Sequence, residues 1–161
     1  MSSASVALPG TCGELVRGRI EGVPFLVSCP IDRWSVVEVQ LSHGMGWDAP
    51  PSRPKTAAAI QAAARYLGCS DRGGVLRFRS ELPRSKGYAS STADVAGAIY
   101  GLGLALGRHL DPQAVVRLSP ARIVQILKSI SARELFRQYP YLRRELWGGK
   151  LWSDGYFASC R

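Results

Sequence analysis

The run Pro83-Arg84-Ser85-Lys86-Gly87-Tyr88-Ala89-Ser90-Ser91-Thr92 decides how the rest of the chain is read. Ahead of it, Leu76, Phe78 and Leu82 alternate with Arg77, Arg79 and Glu81, the pattern of a half-buried strand. Behind it, residues 89 to about 106 are rich in Ala, Leu and Ile, with Val95, Ile99 and Leu102 spaced for one helical face. A strand therefore enters a loop and a helix leaves it. Gly87 permits close backbone approach, and Ser90 and Ser91 stand where the helix begins. Orphan N–H groups and the positive end of the helix dipole favour a phosphate there. Lys86 adds a mobile positive charge. The same residues also have a plainer reading, in which Ser90 and Ser91 only cap a helix packed through its Ala and Gly residues. The Walker spacing G-x-x-x-x-G-K-[ST] is absent, so a nucleotide loop at this place belongs to another class.

Working outward, residues 6–8 are expected as a short strand ended by Pro9-Gly10, and residues 14–20 and 23–29 as a hairpin turning at Glu21-Gly22. Residues 35–41 alternate, with Val37, Val39 and Leu41 on one face and Glu38 and Gln40 on the other. Residues 42–53 are rich in Gly and Pro and read as loop. Pro54 then opens an alanine-rich helix that runs to Leu67 and stops at Gly68, the asymmetry of Pro at helix starts and Gly at helix ends.

Residues 83–92 resemble the phosphate loop of the GHMP kinases (galactose, homoserine, mevalonate and phosphomevalonate kinases), whose pattern is Pro-x-x-x-Gly-x-x-Ser-Ser. Pro9-Gly10-Thr11-Cys12-Gly13-Glu14-Leu15 resembles that family's first motif. Gly13-Glu14-Leu15 with Val27-Ser28-Cys29-Pro30-Ile31-Asp32, and Lys86 through Asp94, look most like the L-threonine kinases of cobalamin side-chain synthesis. The resemblance covers about residues 4–118. It implies transfer of the ATP γ-phosphoryl group to a small-molecule hydroxyl, with ATP and Mg²⁺ as cofactors and L-threonine as the candidate acceptor. Gly87, Ala89, Ser90 and Ser91 would hold the phosphates, Lys86 would supply charge, and Ser91 would contact Mg²⁺. Asp94 is a candidate to position the acceptor hydroxyl or the metal, or simply complements the helix dipole. Glu14 and Asp32 are candidates for the substrate cleft, against a neighbour pairing with Arg17 for the first and a turn role for the second. His43 and His109 are isolated and carry no assigned chemistry.

Composition sets bounds on these readings. In 161 residues, 46% hydrophobic and 20% charged, there is room for a sizeable core, and a disordered chain is excluded. No apolar run approaches the roughly 20 residues of a bilayer span, so no membrane partner is expected. The amino terminus lacks the pattern of a signal peptide. Cys12, Cys29, Cys69 and Cys160 are scattered without a C-x-x-C pair, which points to a reduced, cytoplasmic protein rather than a zinc site. The net charge of +9 is uneven: residues 1–118 carry 13 Lys/Arg and 9 Asp/Glu, residues 119–161 carry 8 and 3. The two stretches answer to different physical demands.

After residue 118 the character changes. Ser119-Pro120 reads as a helix start, with Ile123, Leu127 and Ile130 on one face. Ser131-Ala132-Arg133-Glu134 is a capping-box pattern for another helix, and residues 152–157 read as a turn into a strand. Residues 119–125, Ser131 to Phe136, and Leu146-Trp147-Gly148-Gly149-Lys150-Leu151-Trp152-Ser153-Asp154-Gly155-Tyr156-Phe157 resemble the small single-tyrosine transposases of the HUH class. That resemblance implies a metal-binding His pair upstream and a nucleophilic tyrosine on a later helix, and this sequence has neither in place. Arg133, Arg137, Arg143, Arg144 and Lys150 remain as candidate DNA contacts, or as a solvated basic face.

The joint expectation is an α+β chain in two parts. Residues 1–118 would be a truncated GHMP kinase amino-terminal domain of the ribosomal S5 domain 2-like kind, with its phosphate loop at 83–92. Residues 119–161 would be a helical and short-strand transposase fragment. A mobile element inserted in or beside a kinase gene, or an error in the gene model, would produce such a join. Kinase activity is expected to be weak or absent, and the rival expectation is a DNA-binding remnant of transposition.

Overall fold

The computed structural model describes residues 2–20, 23–119 and 130–131. Along the chain the elements are β1 (Ser3–Ile20), β2 (Val23–Asp48), α1 (Pro54–Tyr66), β3 (Arg72–Ser80), α2 (Ser90–Ala105), α3 (Pro112–Leu118) and β4 (Ile130–Ser131). The architecture is α+β. The strands form one sheet in the order β1-β2-β3, with β4 pairing to β2.

The chain divides into two compact units, one of Met1–Cys12 with Pro30–Lys128, the other of Gly13–Cys29 with Ser129–Arg161. In the second, β2 and β4 run parallel, with Val27 opposite Ile130 and Ser28 opposite Ser131. In the first, β2 and β3 run antiparallel, from Ser35 opposite Ser80 to Ser42 opposite Gly73. Alternation along this ladder sends Val37, Val39, Leu41 and Leu76 into the core, while Arg77 and Arg79 stay exposed. Against those residues lie Ala59, Ile60, Ala63 and Ala64 of α1, Val95, Ala98, Ile99 and Leu102 of α2, and Val115 of α3.

Helix α1 is bracketed as the sequence predicts. Pro54 fills its first turn, and Gly68 beyond the carboxyl end has φ 67°, the left-handed value that glycine adopts without steric cost. Cys69 N–H closes the end by donating to the Ala64 carbonyl at 2.9 Å. Helix α2 departs from the one-sided helix expected. Thirteen of its sixteen residues are buried, because runs of Ala and Gly let neighbours approach from several sides.

Four expectations are corrected. Pro9-Gly10 does not end a strand, since β1 continues through it to Ile20. β1 stands at the end of the strand order, where a proline removes no essential ladder hydrogen bond. Similarly, residues 14–20 and 23–29 do belong to two strands, β1 and β2, but 14–20 only completes a strand begun at Ser3, and 23–29 and 35–41 are one strand rather than two. Residues 42–48 are not loop. β2 carries on to Asp48 with register shifts between His43 and Asp48, where Gly44 (φ 115°) and Gly46 (φ 107°) absorb the bulges. Finally, Ile130 is not on a helical face, and the helix that Ser131 is expected to cap lies outside the described residues. Both lie in β4, where the ladder to Val27 and Ser28 takes their backbone groups. The remaining elements expected between residues 120 and 161 lie outside the described residues.

Candidate phosphate-binding site

The loop between β3 and α2 is shaped by three left-handed residues in alternation, Ser85 (φ 59°), Gly87 (φ 81°) and Ala89 (φ 56°). Two of the three bear a Cβ and so pay a steric penalty for that conformation. Ala89 is the N-cap of α2, and no side chain caps the helix. The Ser and Thr residues near this terminus therefore do not act as caps, as the plainer reading of the sequence required. The Ala89 carbonyl accepts from Thr92 and Ala93 N–H at 2.9 and 3.0 Å. The N–H groups of Ser90 and Ser91 find no acceptor among the described residues. Those two orphan donors sit at the positive end of a 16-residue helix.

The first motif meets this loop. Thr11 N–H donates to the Tyr88 carbonyl at 3.2 Å. Gly10 lies so close that a Cβ there would overlap the Leu82 side chain and fall 2.8 Å from the Tyr88 carbonyl oxygen. The strand residue read as a breaker is thus a close-approach glycine that lets β1 dock on the loop.

Asp94, the fifth residue of α2, is 3% exposed. Its Oδ1 accepts from the Ser35 hydroxyl at 2.6 Å, and its Oδ2 pairs with Arg53 Nε at 2.8 Å. The Arg53 guanidinium lies 4.2 Å from the centroid of the Phe78 ring. Next to Arg53, the Ser52 carbonyl accepts from Arg84 Nη2, tying the loop to the start of α1. Sequence reading did not single out Arg53, Ser35, Phe78 or Arg84 for the site. No local pattern marks them, because the partners lie 41 and 59 residues from Asp94 in the chain.

The other candidates are dispersed. Lys86 and Ser91 are exposed, and Ser90 is buried at the helix start. Asp32 is exposed and lies within β2 rather than in a turn, its Oδ1 accepting from the Trp34 Nε1–H at 3.0 Å. Trp34 and Glu81 exchange two further bonds, Trp34 N–H to Glu81 Oε2 at 3.1 Å and Glu81 N–H to the Trp34 carbonyl at 2.9 Å. The Glu14 side chain lies outside the described residues, as do Arg133, Arg137, Arg143, Arg144 and Lys150.

Residues 55–130 match the family described as "GHMP kinases N terminal domain", and residues 109–160 match "Transposase IS200 like". The chain joins a GHMP kinase amino-terminal portion to a segment of an IS200-like transposase. The chain is 34% identical over 110 residues to the L-threonine kinase of Citrobacter freundii, an alignment that covers 68% of this chain and 38% of that enzyme. Over 48 residues it is 42% identical to the ISDra2 transposase TnpA of Deinococcus radiodurans, covering 30% of this chain and 34% of the transposase. Homoserine kinase from Cytophaga hutchinsonii shares the fold, with a TM-score of 0.56 at 18% identity, over 73% of this chain and 40% of that one. The chain thus spans well under half the length of these kinases.

Proposed function

We propose that this chain carries the phosphate-binding half of an ATP-dependent small-molecule kinase, with L-threonine as the acceptor whose hydroxyl is phosphorylated. In this reading the kinase part is residues 1–118, with its loop at 83–92, and the transposase-like part is residues 119–161. One observation carries the reading. The alternating left-handed loop delivers the unpaired N–H groups of Ser90 and Ser91 to an uncapped helix terminus. Donors of that kind suit phosphate oxygens, and their residues fit the nucleotide. Ser91, exposed beside them, is the hydroxyl available to Mg²⁺, and Lys86 is free to follow the outer phosphates. When bound, Mg²⁺ supplies charge neutralisation between the phosphates. The chain's own residues fix where the phosphates rest. The identity to an L-threonine kinase supports the choice of acceptor.

Turnover is expected to be weak, because kinase resemblance gives way to transposase resemblance where the rest of a kinase cleft would follow. The test is ADP release with ATP, Mg²⁺ and L-threonine, alongside a direct nucleotide titration. Nucleotide binding with release well below about 1 s⁻¹, the lower end of the kinase range, is the expected result. Failure to bind ADP or ATP overturns the reading. Turnover at ordinary kinase rates overturns its weak-activity part.

A second reading is supported by the match of residues 109–160 to an IS200-like transposase. In it Arg133, Arg137, Arg143, Arg144 and Lys150 contact DNA phosphates, and residual binding of hairpin DNA is the activity to measure.

A further inference from the structure

Asp94 poses an electrostatic problem for the site proposed above. A full negative charge on the fifth residue of α2 stands about one helical turn below the N–H groups that are to receive phosphate. It exceeds the roughly half charge of the helix terminus and opposes it. Because Asp94 is 3% exposed and Ser35 fully buried, water does little to screen that charge. Arg53 is the compensating group. Its Nε donates to Oδ2 at 2.8 Å, its side chain is mostly buried, and its guanidinium carbon lies over the Phe78 ring, 4.2 Å from the centroid.

We infer that Arg53 is a positioning residue for phosphate binding: by neutralising and fixing Asp94, it keeps the start of α2 attractive to an anion. The inference rests on the phosphate-binding reading of the loop and adds to it a residue outside the loop. The Ser35 hydroxyl completes the arrangement by holding the second carboxylate oxygen, so the carboxylate cannot swing towards the helix terminus. No role on the acceptor hydroxyl is needed to explain Asp94. Both of its oxygens are engaged, and both partners come from elements packed around α2: Ser35 from β2 and Arg53 from the residue before α1.

The test compares binding of ADP and of adenosine to the full chain, its Arg53→Met, Arg53→Lys and Asp94→Asn variants, and the double variant Arg53→Met/Asp94→Asn. Arg53→Met is expected to weaken ADP binding on the order of tenfold while adenosine binding stays within twofold. Arg53→Lys should retain most of the ADP affinity, and the double variant should recover it, because the uncompensated negative charge is gone. Thermal denaturation of each variant reports folding separately. Equal losses for ADP and adenosine in Arg53→Met mean a merely structural pair and overturn the inference. So does an unchanged ADP affinity, or a double variant as weak as Arg53→Met. If the unaltered chain binds neither ligand, the phosphate reading falls and takes this inference with it. If it binds ADP and the variants behave alike, only the inference falls.

Discussion

Cys69, just past the end of α1, is 6% exposed. Burial pushes its thiol above the ordinary value, Arg72 and Arg108 pull it down, and Asp71 adds to the rise. A thiolate is the reactive form, so Cys69 should be alkylated by iodoacetamide more slowly than the half-buried Cys12 at pH 7.5. Its rate should go on rising past about pH 8.5, the ordinary thiol value. Mass spectrometry of timed digests measures both, and equal rates at pH 7.5 would contradict the burial argument. The linkage has a definite sign. The folded thiol keeps its proton after the unfolded one has lost it, so Cys69 makes stability fall as pH climbs through the alkaline range. At this scale the sequence was readable wherever backbone conformation dictates residue type. Gly87 and the Ser90-Ser91 pair could be picked out because a left-handed turn and a helix start each leave a local mark. Arg53 and Ser35 could not. What makes them important is a buried carboxylate far along the chain, and no spacing rule connects residues that only the tertiary fold brings together.

Helix α2 owes its place to two glycines one turn apart. A Cβ on Gly97 would fall 2.8 Å from Val37 Cγ2, and one on Gly101 would fall 2.6 Å from Val39 Cγ2. Both valines are fully buried and stiff about χ1, so neither can turn aside cheaply. Gly101→Ala therefore sets two effects against each other. Alanine favours the helix by about 1 kcal/mol, while overpacking a full core costs about 1–3 kcal/mol. The packing cost should win, with a net loss of about 1 kcal/mol and a lower urea midpoint; a raised midpoint would show that α2 has room to move off β2. Elements whose ends carry a chemical mark were legible: Pro54 and Gly68 frame α1, and alternation gives the face of β2 and β3. Helix α3 went unread although Asp111-Pro112 signals it, the Asp111 carboxylate accepting from Gln113 N–H at 3.1 Å. The continuity of β1 through Pro9-Gly10 was hidden for a different reason. Propensity treats Pro-Gly as a stop, whereas the position beside Tyr88 and Leu82 requires a residue without a side chain.

For the molecule as a whole, charge was the most telling quantity in the sequence. The break in basic density near residue 118 falls inside the stretch, 109–130, that the kinase and transposase families both match. Charge density also separates two explanations of any DNA affinity. A chain of net charge +9 binds nucleic acid non-specifically by releasing counterions, whichever arginines are present. Contacts inherited from a transposase would be confined to a few residues of the tail. Binding of a DNA hairpin should therefore be followed as salt is raised, for the unaltered chain, for Arg143→Gln/Arg144→Gln, and for Arg77→Gln/Arg79→Gln. The last pair lies on the exposed side of β3 and removes the same total charge. If the tail carries the affinity, the first variant should lower the slope of log K against log salt by about 1–2, and the second should leave it unchanged. Equal effects from the two variants would reduce the DNA affinity to the overall charge and overturn the reading of Arg143 and Arg144 as inherited DNA contacts.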